Sequence, residues 1–218
     1  MGINLTLTRQ PTVPLEAEVL CPDKLASCSA DEIAQLTVYH GKRQLPLREF
    51  FEIEGEKSDE VEIHGDLKKV RWVGRAMSRG HLKIEGDVGM HLGAYMTGGE
   101  IEVNGNAGDW IGAEMKGGVI RVAGDAGGQV GAAYRGSLAG MKGGLIHVAG
   151  SAGLEVGMRM RRGIIVIGGA AKDFTGLQMK GGTIVLGEGA EIRTGAWMNR
   201  GTIISQKAVQ VMPTFALA

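Results

Sequence analysis

Between residues 61 and 205 the apolar positions of this chain recur in columns, most of them 19 residues apart. One column runs Leu82, Ile101, Ile120, Ile146, Ile165, Ile184, Ile203, and its neighbour runs Ile63, Ile84, Val103, Val122, Val148, Ile167, Leu186. A third runs Val73, Leu92, Ile111, Val130, Val156, Thr175, Thr194, and a column of small residues runs Ala107, Ala126, Ala152, Ala171, Ala190. Each repeat opens on a short alternating run, such as Glu100-Ile101-Glu102-Val103 or Thr183-Ile184-Val185-Leu186. Alternation with period two and β-branched residues predicts a half-buried strand. One repeat alone cannot bury such side chains, but a stack can, with backbones pairing at about 4.8 Å.

Two further columns sharpen the register. The glycine of the motif apolar-Gly-x-x-Met falls at Gly74, Gly93, Gly112, Gly131, Gly157, Gly176 and Gly195, at intervals of 19 with one of 26. The methionine three residues later is Met77, Met96, Met115, Met160, Met179 and Met198, with the fourth coil delayed to Met141 by an insertion of seven residues near Ala133 to Ala139. Coil-ending glycines follow at Gly80, Gly99, Gly118, Gly144, Gly163, Gly182 and Gly201. The pattern predicts an all-β fold, a right-handed parallel β-helix of about seven 19-residue coils, each with three short strands and three corners. Seven coils make a rod about 30 Å long. Glycine persists where φ is positive or backbones approach closely, so Gly112 and Gly157 are expected at such points. The methionine column is read as adaptable filling inside the rod rather than as metal or haem ligands, because a thioether alone is a weak, soft ligand.

The ends do not repeat. Residues 1–60 are expected to form a small α+β cap over the first coil, residues 61–205 the β-helix, and residues 206–218 a tail. Ser29-Ala30-Asp31-Glu32 has the form of a capping box and predicts a short helix. Leu5-Thr6-Leu7, Leu36 to His40 and Phe50 to Ile53 read as strands. An open β-helix end exposes a strand edge, so a cap is needed there. The apolar tail around Met212-Pro213-Thr214-Phe215 either covers the last coil or docks on a partner.

Composition narrows the function more by exclusion than by indication. Aromatic residues are 5% of the chain, so aliphatic side chains build the core, and glycine reaches 37 of 218 residues. Lys plus Arg and Asp plus Glu are 24 each, which gives no global pull toward nucleic acid or a membrane surface. No apolar run reaches the length of a membrane span, and Met1-Gly2-Ile3-Asn4-Leu5 lacks the form of a signal peptide. With only Cys21 and Cys28, a disulfide framework is not expected, and the reading is a cytoplasmic protein. No catalytic constellation, metal site or phosphate loop stands out. His40, His64, His81, His91 and His147 are scattered, and Asp87, Asn106 and Asp125 share a register on an exposed corner without further indication.

The residue after the methionine is Ser78, Thr97, Lys116, Lys142, Arg161, Lys180 and Asn199, with Arg162 and Arg200 following closely. Four consecutive coils therefore place a cation at one corner. Like charges about 5 Å apart repel by roughly 1 kcal/mol even in water. Lys116, Lys142, Arg161, Lys180 and Arg162 are either a solvated row, or one neutralised by acids such as Glu114 and Glu155, or a surface for an anionic partner or ligand.

The run from Gly108 to Gly118, with its Ile111-Gly112-Ala113-Glu114-Met115-Lys116-Gly117-Gly118, resembles the repeats in the C subunit of formylmethanofuran dehydrogenase. The lead-in segments Asp31 to Gly41 and Leu47 to Gly55, and the insertion Tyr134 to Met141, resemble the same family, so that the likeness spans residues 30–205. A related β-helix closes the large subunit of glutamate synthase. The resemblance implies a scaffold subunit of a formylmethanofuran-handling complex in one-carbon metabolism. That complex is either a molybdenum or tungsten formylmethanofuran dehydrogenase, an oxidoreductase complex, or the bacterial formyltransferase/hydrolase complex. It implies that other subunits carry the active sites and that a methanofuran-type cofactor is bound in the complex. No cofactor is assigned to this chain itself, and the anionic ligand of the cationic row is either an acidic subunit or the glutamate-containing tail of such a cofactor. The alternatives are an amidotransferase-type β-helix like that of glutamate synthase and, disfavoured by the lack of a carboxylate cluster on one face, a free-standing polysaccharide-acting enzyme.

Overall fold

The computed structural model describes residues 2–213 and 215. Eight parallel strands lie in one continuous ladder: Glu60–His64, His81–Glu85, Glu100–Val103, Val119–Val122, Lys142–Val148, Arg162–Ile167, Lys180–Leu186 and Arg200–Ser205. Each joins the next through a crossover coil, so the chain is a parallel β-solenoid. In this ladder Leu82, Ile101, Ile120, Ile146, Ile165, Ile184 and Ile203 stand in register. All of them but Ile203 are fully buried, and the column two residues on is buried beside them.

The three sides of a coil are not alike, which corrects the expectation of three strands. The second side is a line of parallel bridges, Leu67 to Val88 to Ala107 to Ala126 to Ala152 to Ala171, ending in the pair Ala170–Ala171 with Gly189–Ala190. The third side is a stack of turns. There every non-glycine residue with positive φ in the chain is found, in two columns among the described residues. Trp72, His91, Trp110, Gln129, Glu155, Phe174 and Arg193 form one; Ala76, Tyr95, Glu114, Arg159, Gln178 and Trp197 form the other. A left-handed residue costs about 1–2 kcal/mol, and here it turns its amide toward a neighbouring coil. Trp110 N donates to Gly128 O in the coil above, and Gly112 N donates to Leu92 O in the coil below. The turns thereby satisfy their backbone groups without a strand.

Two glycine columns interlock with the core. At Gly112 (φ 57°) an added Cβ would stand 2.5 Å from Ile146 Cδ1, and at Gly157 (φ 67°) 2.6 Å from Ile184 Cδ1. Gly74, Gly93, Gly131 and Gly176 meet the isoleucine column in the same way, and Gly195 meets Phe215 instead. The coil-ending glycines face the methionines: a Cβ at Gly99, Gly118, Gly144, Gly163, Gly182 or Gly201 would stand 2.7 Å from the methyl carbon of the preceding coil's methionine. Met77, Met96, Met115, Met141, Met160 and Met179 are fully buried. The insertion bulges out over residues 134–140. Ala133 N and Gly140 N still donate to the next coil, at Met158 O and Arg159 O, and Met141 returns to its column.

The register of Asp87, Asn106 and Asp125 has a structural use. Asp87 Oδ1 accepts from Asn106 N at 2.6 Å, Asn106 Oδ1 from Asp125 N at 2.8 Å, and Asp125 Oδ1 from Ser151 N at 2.7 Å. Each side chain caps an amide of the next coil at a corner where the backbone itself cannot.

The N-terminal segment adds strands to the main ladder and builds a small sheet of its own on the first coil. Ile3–Leu7 pairs parallel with Glu60–His64 and antiparallel with Phe51–Glu54, and Leu15–Glu16 joins Val70–Arg71 to Thr37–His40. The helix Ala30–Ala34 starts at a capping box between Ser29 and Glu32. Leu20, Leu25, Ile33, Leu47, Phe50 and Phe51 continue the core under this segment. At the other end Val211 bridges Thr194, so the described part of the tail lies on the last coil. Thr214 and residues 216–218 lie outside the described residues.

Candidate interaction surface

Lys116, Lys142, Arg161 and Lys180 each follow a buried methionine, and each is exposed. The column is not a plain one-per-coil row. Most coils continue Met-x-Gly-Gly, and at the first glycine a Cβ would lie 2.3 to 2.5 Å from a carbonyl oxygen of the preceding coil, as at Gly98, Gly117, Gly143 and Gly181. Three coils place arginine there instead, Arg79, Arg162 and Arg200, and at the last two the strand pairing shifts to take them: Lys142 pairs with Arg162 and Lys180 with Arg200 before the register changes. Lys142, Arg161, Arg162, Lys180 and Arg200 thus surround one open groove of about 640 Å³, with Gly181 and Gly201 at its floor. Lys116 stands one coil away, outside this lining.

The two glutamates that the sequence offered as neutralising partners are engaged elsewhere. Glu114 Oε1 accepts from Tyr134 N at 3.2 Å, and Glu155 takes Gln129 Nε2 at 2.9 Å and Arg135 at 3.5 Å. Among the described residues, no carboxylate lies within salt-bridge distance of the five groove cations or of Lys116.

The outward face of the strand ladder changes character along the rod. In the first coils it carries charges that answer one another. His81 lies between Glu60 and Glu102 at 3.2 and 3.6 Å, Lys83 reaches Glu62 at 3.2 Å and Glu85 at 2.6 Å, and Arg121 pairs with Glu100. These bonds raise the Lys83 pKa, Glu85 contributing most and Glu62 next, and Lys83 lowers that of Glu85. In the last coils the same positions are Leu145, His147, Ile164, Val166, Thr183, Val185, Thr202 and Ile204. Ile164 is 45% and Ile204 50% exposed.

An aromatic corner escaped the sequence reading. Trp72 and His91 stack with centroids 4.2 Å apart, Trp110 and Tyr134 at 4.9 Å, and Tyr95 lies 5.6 Å from Tyr134. The His91 Nδ1 and the Tyr134 hydroxyl share a hydrogen bond of 2.9 Å. Burial, with the charge of Arg71 adding to it, pulls the His91 pKa down to about 4, and burial pushes that of Tyr134 up. Trp72, His91 and Trp110 do share the 19-residue register, immediately before the column of Val73, Leu92 and Ile111. Tyr134 comes from the insertion and has no register. The corner anchors the bulge of residues 134–140 to the first coils. A second groove, of about 460 Å³, lies at the far end of the same side between Leu138, Arg159, Gln178, Lys180, Trp197 and Asn199. Leu138 is 76% and Trp197 69% exposed.

His81 is thus held between the carboxylates of Glu60 and Glu102 and His91 by stacking, and His64 lies 3.6 Å from Glu62. Among the described residues no three of His, Cys, Asp and Glu gather as a metal site would need, and no helix is long and apolar enough to cross a membrane.

A stacked-coil body, two interlocked glycine columns and a chemistry confined to surface charge define a class of β-solenoid, and comparison with known proteins gives its family. The family model described as the GXGXG motif matches residues 68–211. The C subunit of the molybdenum-containing formylmethanofuran dehydrogenase 1 of Methanosarcina barkeri is 43% identical over 85 residues, 37% of this chain and 28% of that protein. The C subunit of the tungsten-containing formylmethanofuran dehydrogenase 2 of Methanothermobacter thermautotrophicus is 40% identical over 97 residues, 42% of this chain and 36% of that protein. The chain thus covers only about a third of the length of these curated relatives. A chain in the crystal structure of the formyltransferase/hydrolase complex FhcABCD from Methylorubrum extorquens, in complex with methylofuran, matches over 98% of this chain and 80% of its own. Its TM-score is 0.91 and its identity 35%. The chain belongs to the GXGXG family.

Proposed function

We propose that this chain is a non-catalytic structural subunit of a formylmethanofuran-handling complex in one-carbon metabolism, in which other subunits carry the active sites. The observation that carries the reading is the match along nearly the whole chain to a chain of the formyltransferase/hydrolase complex. It favours that complex over a formylmethanofuran dehydrogenase, whose C subunit aligns over less than half of this chain. In this reading residues 61–205 are the supporting rod, residues 1–60 its cap and residues 206–218 its tail. The protein works in the cytoplasm, and a methanofuran-type cofactor is bound in the complex. The groove of Lys142, Arg161, Arg162, Lys180 and Arg200, with Lys116 beside it, is its anion-receiving surface. Cations without carboxylate partners raise one another's energy, and an acidic group relieves them.

The test has two parts. The chain expressed alone is expected to fold and to show no formyl transfer, formyl hydrolysis or CO2 reduction, and robust turnover by the pure chain overturns the reading. A tagged chain recovered from its native source is expected to bring formyl-handling subunits with it. The double charge reversal Lys142→Glu with Arg161→Glu is expected to weaken that assembly or its capture of the cofactor at low salt. The loss is expected to be smaller at high salt, where screening already suppresses the attraction. Wild-type behaviour of the double variant at both salts reduces the groove to a solvated face.

A further inference from the structure

We infer that the outward face of the last four strands is a docking surface for a protein partner with an apolar patch bordered by carboxylates. The inference rests on the subunit reading above and names the surface through which it operates.

The argument starts from the contrast along one sheet face. In the first four strands the charged side chains lie against opposite partners on the same or a neighbouring strand. In the last four strands five of the eight equivalent positions are apolar, Leu145, Ile164, Val166, Val185 and Ile204, and the other three, His147, Thr183 and Thr202, carry no carboxylate. Flat apolar sheet faces are rare on surfaces that stay wet. The strands also begin with cations. Lys142, Arg162, Lys180 and Arg200 open the four strands whose later residues form the apolar field. One edge of the field is therefore a row of positive charge without carboxylate partners.

Area and charge together identify the occupant. Four strands with two outward residues each give about 250 Å², well below the about 800 Å² per partner of a stable interface. The field alone is too small, but it does not end at the cations. Lys180 lines both the cationic groove and the groove of Trp197 and Leu138, so two apolar patches flank one cationic band. A small polyanion uses the band and leaves both patches wet, whereas a protein with carboxylates between apolar side chains covers all three. A second copy of this chain is a poor fit. Laid antiparallel on the face, it sets the strand ends Val148, Ile167, Leu186 and Ser205 and the residues next to them, Ala149, Gly168, Gly187 and Gln206, against the cations, and none of these is acidic.

The experiment uses the tagged full-length chain, purified with its associated subunits from its native source. Ile164→Glu with Ile204→Glu places two acids on the outward face, where the folded chain has room, and the thermal midpoint of the isolated variant is expected to stay at the wild-type value. The ratio of associated subunit to this chain is expected to fall at least tenfold. The control Glu52→Lys, on the exposed outside of the cap, is expected to keep the wild-type ratio. A photo-crosslinker at position 164 is expected to label a Glu- or Asp-bearing surface of an associated subunit. Undiminished assembly of the double variant overturns the inference, as does labelling of a second copy of this chain. Assembly that survives Ile164→Glu with Ile204→Glu while cofactor capture is lost on Lys142→Glu with Arg161→Glu assigns the band to a small polyanion and also overturns it. A wild-type chain that purifies alone is the separate result that refutes the subunit reading, and the docking surface falls with it.

Discussion

Replacing Gly157 with alanine separates two reasons for a glycine that are usually confounded. Its φ of 67° matches that of Trp72 at 66° and His91 at 68°, so this backbone holds large side chains in the same conformation. The left-handed conformation costs an alanine about 1–2 kcal/mol. The added Cβ would also stand 2.6 Å from Ile184 Cδ1 and 3.6 Å from Ile165 Cδ1, in a fully buried column. Overpacking a core adds about 1–3 kcal/mol, so Gly157→Ala is expected to destabilise by about 2–5 kcal/mol in all. Gly136 supplies the comparison. Its φ is 89° and nothing lies within 4 Å of an added Cβ, so Gly136→Ala carries the backbone cost alone. Ile184→Val removes the offending Cδ1 at a cost of about 0.5–1.5 kcal/mol. In combination with Gly157→Ala it is expected to cost less than the sum of the two singles. Urea unfolding followed by circular dichroism measures all four proteins, with the slopes compared because repeat arrays can lose cooperativity. Equal losses at positions 157 and 136, or additivity to within about 0.3–0.5 kcal/mol, refute the packing explanation.

Asp125→Ala leaves the Ser151 amide without its acceptor and is expected to cost about 1–2 kcal/mol, visible as faster hydrogen exchange at Ser151 than in the wild type. His91, held near a pKa of about 4 by burial and by Arg71, is neutral at pH 7. The unfolded chain, at its ordinary 6.5, takes the proton first, so stability is expected to fall as pH drops from about 6.5 toward about 4. His91→Gln is expected to flatten that slope in acid denaturation curves. Cys21 is buried and its thiol is pushed up to about 12 by that burial; iodoacetamide at pH 8 is expected to modify the more accessible Cys28 well before Cys21, as peptide mass mapping reads directly.

The columns of this protein were legible because a solenoid converts sequence period into spatial neighbourhood. Ile146 meets Ile165 in the ladder because 19 residues separate them, and Met115 fills the space under Gly144 because both registers survive the insertion. The cationic column was legible by the same rule, but its grouping was not. Arg162 and Arg200 stand where glycines elsewhere let a carbonyl of the preceding coil approach closely, and the accompanying shift of register draws five cations to one groove. The third side reads as a strand in sequence and is not one, because left-handed φ at Trp110 or Gln178 leaves no mark in hydropathy.

The sequence by itself determined the stacking axis, the repeat length, the buried columns and the place of the insertion, since each depends only on which residues share a period. The tertiary structure alone decided what meets across periods. Tyr134 returns over 43 residues to bond His91. Glu114 and Glu155 turn to the inserted loop and its neighbours and leave the cations without carboxylate partners. The charged and apolar halves of one sheet face become distinguishable only when the partners of each charge are seen. The physical reason is that a period specifies neighbours along the stack, whereas side-chain reach and corner geometry select neighbours around it.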